Sequence, residues 1–217
     1  MRNYFLVKET NKHISWPNTL FEQEMLSEKF YELSQIKNII GVLGMHKLHV
    51  KDSKTNTNYV CLLLVIIDSN NLIRHCEVGQ PNVTGSNTML RNSNLHKNLT
   101  KLSNTNDIKL NANKKIYACH NILENTNEYN WITTIYDKSD VNLYKIIENT
   151  FKKLLNRFQR LSLLDDYGDY NNIIDVIKII CTIHNVCEKM NDTSCKIKAH
   201  FTCSIRYFHC NINNTQY

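Results

Sequence analysis

The run VCLLLVII, Val60 to Ile67, constrains this chain more than any other stretch. Eight consecutive apolar residues are too few to cross a bilayer, which takes about 20. They are also too many to leave in water, so the run reads as a buried strand. Its neighbours read as its partners. IIGVLGMHKLHV, Ile39 to Val50, begins apolar and alternates from Leu48 to Val50. The strand proper spans Asn58 to Ile67, a turn follows at DSNN (Asp68 to Asn71), and Leu72 to Val78 is a third strand. Residues 40–78 therefore read as an antiparallel meander.

Helical spacing flanks this meander. Leu20, Met25, Phe30 and Leu33 recur through LFEQEMLSEKFYEL, and a helix is expected there. A helix of moderate quality is expected over 86–102, then an Asn-rich loop over 103–113 and a short strand, KIYAC, Lys115 to Cys119. An amphipathic helix covers about 141–161 and a last apolar helix Asn172 to Met190. Strands, a helix, a further strand and then helices imply one mixed α/β or α+β domain. It is expected over 14–190, after a lead-in (1–13) and before a polar tail (191–217) that should be poorly ordered.

Composition agrees with a globular chain. Of 217 residues, 42% are apolar and 21% charged, enough for one domain with a substantial core. No apolar run reaches bilayer length, and MRNYFLVKET has no apolar signal region, so neither a membrane span nor a secretory leader is expected. The eight cysteines form no C-x-x-C pair and are expected as free thiols. With only 5 Gly and 2 Pro, turns must rely on Asn, Asp and Ser. The net charge of +6 permits a polyanionic partner without requiring one.

Several side chains could carry chemistry. Glu148 is the one acid in LYKIIENTFKKLLNRFQRL, and pairing with Lys152 at i+4 would contribute about 0.3 kcal/mol. On the same helix Lys145, Lys152, Lys153, Arg157 and Arg160 form a basic face, either solvated or set against phosphates. His46 and His49 could offer imidazole to a softer ion such as Zn²⁺ or Mn²⁺, or serve as ordinary strand residues. Cys181, His184 and Cys187 read as packing positions with a satisfied histidine. Cys195, His200, Cys203, His209 and Cys210 in the tail supply enough donors for zinc, at a spacing that fits no standard finger.

Four segments, in order, resemble the catalytic domain of PIF/Harbinger-type transposases and their domesticated nuclease relatives. ISWPN (Ile14 to Asn18), followed by SEKFYELSQIKNIIGVLG, resembles that family's approach to its first strand. VIIDSNNLIRHCEVGQPNVTGSNTMLRNSNL (Val65 to Leu95) resembles its second and third strands and a Gly-Ser-x-His-Asp-Ser loop. IIENTFKKLLNRFQRL resembles Val-Ile-Glu-Arg-Thr-Phe-Gly-x-Leu-Lys-x-Arg-Phe, and IIDVIKIICTIHNVCE resembles a terminal helix with Leu-His-Asn-Ile-Cys. The likeness covers roughly residues 14–190. It implies a ribonuclease-H-like DDE core, an antiparallel meander followed by helices. In such a core, carboxylates hold two divalent ions, Mg²⁺ or Mn²⁺, for phosphodiester hydrolysis of DNA. It also implies a nuclear protein, reached directly or by co-import from the cytoplasm, with DNA and a Myb/SANT-like protein as partners.

The chain departs from that pattern where the chemistry should be. The first-strand aspartate falls on Gly44 and the loop aspartate on Gly85. The next acid falls on His120 counting from the strand, or near Glu124 counting back from Trp131. Glu148 stands in place of the helical glutamate. The resemblance thus implies a metal set of Glu148 with Glu124 or His120, catalytic carboxylates at Glu148 and Glu124, and phosphate contacts from Lys152, Lys153, Arg157 and Arg160. Two glycines supply no ligands, so impaired cleavage is expected. A non-catalytic DNA- or protein-binding domain and a decayed transposon reading frame are the alternatives. About 13 residues precede ISWPN, so the family's N-terminal DNA-binding region is expected to be missing or on another chain, and site-specific targeting to come from a partner.

Overall fold

The computed structural model describes residues 10, 12–52, 55–83, 85–100, 108–111, 113–118, 129–134, 140–158, 164–165 and 170–191. The chain forms a mixed α/β fold. Its elements, in order, are α1 (Leu20–Ser34), β1 (Ile39–Asp52), β2 (Thr57–Ile67), β3 (Ile73–Val78), α2 (Ser86–Asn92), α3 (Asn94–Leu99), β4 (Lys115–Ala118), β5 (Ile132–Thr133), α4 (Asp140–Arg157), β6 (Leu164–Asp165) and α5 (Tyr170–Lys189).

The sheet runs β3-β2-β1-β4-β5, with β6 also joined to β1. β1, β2 and β3 form the expected antiparallel meander, in a register that sets Gly44 opposite Val65. β4 then lies parallel to β1, Leu43 beside Ala118, and β5 parallel to β4. A parallel return needs a crossover, and α2 and α3 fall within it. β6 takes the same side of β1 further along, Val50 beside Leu164.

VCLLLVII is apolar without alternation because both faces of β2 are covered. Cys61, Leu63, Val65 and Ile67 join one core with Val42, Leu48 and Val50 of β1, Ile147, Phe151 and Leu154 of α4, and Ile173, Ile177 and Ile180 of α5. Leu62, Leu64 and Ile66 join the other, with Trp16, Leu26, Met89, Leu90, Leu95 and Trp131. The two-residue side-chain period of a strand splits one apolar run between two layers.

Local chemistry sets the boundaries. Thr19 caps α1 in a reciprocal box with Glu22, and Gln35 closes it in the left-handed region at φ 61°. The β2–β3 turn is built on Asp68, whose Oδ1 accepts from the Asn70 and Leu72 amides at 2.8 and 3.0 Å and whose Oδ2 takes Arg74 Nε at 2.7 Å. The helix expected over 86–102 is two helices. Ser93 breaks it, with its hydroxyl donating to Leu90 O at 2.6 Å and accepting from His96 N at 3.0 Å.

The helix expected over Leu20 to Leu33 is present as α1, but most of its apolar residues at helical spacing do not face the core. Phe30 is buried, but Leu20, Met25 and Leu33 are exposed, and the inner face is Gln23, Leu26, Ser27, Phe30 and Ser34. Gln23 is inward because its amide is fully used. Nε2 donates to Pro17 O and Lys109 O at 2.7 and 2.8 Å, and Oε1 accepts from Asn111 N at 2.9 Å. With Trp16 Nε1 donating to Lys109 O at 2.7 Å, it ties the ISWPN segment to the 108–111 loop. Such satisfaction makes a buried polar side chain tolerable.

Candidate functional site

β1 and α4 bring the first-strand position and the helical acid into one neighbourhood. Gly44 faces α4. A Cβ placed on it would lie 2.9 Å from Phe151 Cε2, 3.1 Å from Ile147 Cγ2 and 3.3 Å from Val65 Cγ2. The position is therefore filled by apolar groups from α4 and β2. Two residues on, His46 stacks on the Phe151 ring at 5.1 Å between centroids. Burial, and then the charge of His49, hold the His46 imidazole below its ordinary pKa of 6.5.

Glu148 is exposed, next to Ile147 on the rim of a groove of about 640 Å³ whose lining includes Met45, His46, Phe151, Lys152 and Leu155. Among the described residues it forms no ion pair, with Lys152 or any other cation. The loop position differs from Gly44. Gly85 is the N-cap of α2 at φ −80° and ψ 121°, and a Cβ there would meet only Thr88, at 3.4 and 3.8 Å. It has room for a side chain.

This neighbourhood does not fit a pair of hard divalent ions. Gly44 offers no oxygen, and Ile147, Phe151 and Val65 occupy the space where one would stand. His120 and Glu124 lie outside the described residues, as do Arg160 and the tail donors Cys195, His200, Cys203, His209 and Cys210. Among the described residues no three His, Cys, Asp or Glu side chains converge as a metal set. His46 and His49 stand on opposite faces of β1, as an odd spacing in a strand dictates.

The basic face of α4 divides. Lys152 and Lys145 are exposed. Lys153 Nζ reaches Glu188 Oε2 at 2.6 Å, and Arg157, buried, places Nη2 at 2.8 Å from Glu188 Oε1. Burial alone would raise the Glu188 carboxyl, but the hydrogen bonds from Lys153 and Arg157 outweigh it and hold the group below its ordinary value. Arg157 thus turns toward α5, and two of the four expected phosphate contacts serve to join α4 to α5.

The last helix behaves as packing, as expected. Cys181 and Cys187 are buried free thiols, and Cys61 is another, its thiol pushed up to about 11 by burial. His184 donates from Nε2 to Asn71 O at 2.9 Å and accepts at Nδ1 from Arg157 Nη1 at 3.0 Å. Asn185 accepts from Ile73 N at 2.8 Å and donates to Ile73 O and His13 O at 2.7 and 2.8 Å. The His-Asn dipeptide in IHNVC holds the end of α5 against the β2–β3 hairpin.

A second cationic feature was legible in the sequence as HKLHVK, at spacing two rather than on a helix. Lys47, His49 and Lys51 are exposed and share one face of β1. Their register partners on β2, Leu62, Val60 and Asn58, carry no charge. Asp165 of β6 stands in register with Lys51.

No family model, curated protein or solved structure matches the chain. No helix among the described residues is long and apolar enough to cross a membrane.

Proposed function

We propose that this is a ribonuclease-H-like, Harbinger-type domain that holds DNA by its backbone and no longer cuts it. The sheet supports the fold: order β3-β2-β1-β4-β5, with β2 alone running against the rest, is the order of a ribonuclease-H-like sheet. In that reading Gly44 is the first metal-binding position, on β1 beside the end of β4, and Glu148, next to Ile147 on α4, is the helical acid.

One observation carries the loss of cleavage. The space beside Gly44 belongs to Phe151 and Ile147. Two-metal chemistry requires a carboxylate that holds both ions and a wet, anionic notch around it. Apolar packing at this point supplies neither, and among the described residues no three metal-ligating side chains gather with Glu148. The net charge of +6 and the exposed row Lys47, His49 and Lys51 support phosphate contacts, which give salt-dependent affinity without reading sequence.

The test is plasmid relaxation in Mg²⁺ or Mn²⁺, run beside salt-dependent retention of a short duplex. Wild type and Glu148→Gln should leave the plasmid equally intact while both retain the duplex at low salt. Nicking by wild type that Glu148→Gln abolishes would restore the nuclease. Absence of duplex retention at every salt concentration would remove the DNA.

A further inference from the structure

We infer that the outer face of α1 docks a basic amphipathic helix from a separate polypeptide. The inference rests on α1 alone and stands whether or not the domain descends from a nuclease.

Most of the exposed large apolar side chains of the described residues fall on this one helix: Leu20 (59%), Phe21 (74%), Met25 (42%), Tyr31 (40%) and Leu33 (44%). Their placement is ordered. Gln23, Leu26, Ser27, Phe30 and Ser34 make the inner stripe. Opposite it, at i, i+4, i+7 and i+11, run Phe21, Met25, Glu28 and Glu32, all exposed. A surface helix normally keeps one apolar stripe and gives the other side to water. This helix places Phe21 and Met25 on its outer side as well, whereas single exposed leucines elsewhere would call for no such account.

Charge selects the occupant. α1 carries Glu22, Glu24, Glu28 and Glu32 against Lys29 alone, in a chain whose net charge is +6. Glu22 is engaged in the capping box, and Glu24 takes Lys114 Nζ at 2.7 Å. Glu28 and Glu32 form no ion pair among the described residues and continue the Phe21–Met25 stripe. Two apolar anchors followed by two acids along one helical line match a helix with apolar residues at i, i+3 and i+4 and lysine or arginine flanking them. The same acids disfavour a nucleic acid, an anionic lipid surface, whose ligands carry Lys and Arg on the polar face, and a second copy of this acidic helix.

Asn142 of α4 donates to Leu33 O at 2.9 Å, and Tyr144, 38% exposed, lines the groove beside α4.

The test uses the full chain and a fluorescein-labelled 14-residue peptide of leucine and lysine at helical spacing, with its leucine–glutamate counterpart as control, read by anisotropy. The lysine peptide should bind saturably and the glutamate peptide should not. Phe21→Ser with Met25→Ser should weaken binding at least tenfold without shifting the thermal midpoint, since both side chains are exposed. Glu28→Lys with Glu32→Lys should weaken the lysine peptide comparably and confer binding on the glutamate peptide. Equal lysine-peptide binding by wild type and both variants, or no saturable binding by wild type, would overturn the inference. So would a dimer in sedimentation that the serine variant dissolves, which would assign the face to a second copy.

Discussion

His184 holds Asn71 by its backbone: Nε2 lies 2.9 Å from that residue's carbonyl oxygen, and only an N–H can serve there. Asn71 sits in the left-handed region at φ 60°, at the tip of the β2–β3 turn. On the other ring edge Arg157 Nη1 stands 3.0 Å from Nδ1, and a guanidinium only donates. The imidazole is therefore neutral, with its proton on Nε2. Protonation would set two donors against each other.

The pH dependence of stability follows. Burial holds the His184 pKa below 6.5, and His46 is displaced in the same direction. An unfolded chain then binds protons that the folded one refuses. Stability is full above about pH 6.5 and falls as pH drops toward the folded pKa values, by up to about 1.4 kcal/mol per histidine per pH unit. The urea midpoint at pH 5.5 should lie below that at pH 7.5, with a smaller difference in His184→Gln. A midpoint unchanged or raised by acidification would contradict the neutral ring.

Asn185 supplies a second test of the same junction. Its amide covers the outward peptide groups of Ile73 on the edge strand β3, where an unpaired backbone would otherwise be exposed or orphaned. Asn185→Ala should cost roughly 2–4 kcal/mol, two buried backbone groups losing their partner. Asn185→Asp should cost more, because a carboxylate oxygen would face the Ile73 and His13 carbonyls. Chemical denaturation orders the three proteins. Equal stability of the aspartate and alanine variants would sink the assignment.

How far the sequence discloses this molecule depends on the reach of each interaction. The meander was legible because VCLLLVII, DSNN and the β-branched residues around them act over a few positions. β5 and β6, two residues each, carry no pattern and exist only because β4 and β1 offer an edge. The inner face of α1 was not legible, since it includes a glutamine whose partners lie at Lys109 and Asn111. Arg157 misled for a similar reason: Glu188 and His184, which turn it inward, stand on the next helix. The crowding at Gly44 was out of reach, since Phe151 and Val65 meet it only in space.

Gly44 and Gly85 should answer differently to substitution. Gly44→Ala forces the Phe151 ring aside and should cost about 1–3 kcal/mol as overpacking. Gly44→Asp should cost more still, since the carboxylate enters among apolar groups, and should confer no nuclease activity. Gly85→Asp places a capping oxygen over the first turn of α2 at an ordinary φ and should stabilise by a few tenths of a kcal/mol. Thermal midpoints of the three variants decide it. A Gly44→Asp protein as stable as wild type would mean the site beside α4 is open to a carboxylate.

Breaking the α4–α5 bridge should destabilise without reporting on DNA. Glu188→Gln takes the facing carboxylate charge from Arg157, which is buried, and should cost roughly 3–5 kcal/mol. Lys153, more exposed, contributes less, so Lys153→Gln should lower stability only slightly. In a salt titration of duplex binding, Lys153→Gln should leave the slope of log affinity against log salt where wild type has it. Lys47→Glu with Lys51→Glu removes two cations from one strand face, and with about 0.9 counterion released per phosphate contact the slope should fall by about 1.8. If the slope responds to Lys153→Gln and not to the strand pair, the phosphates lie along α4 and the β1 row is a solvated surface.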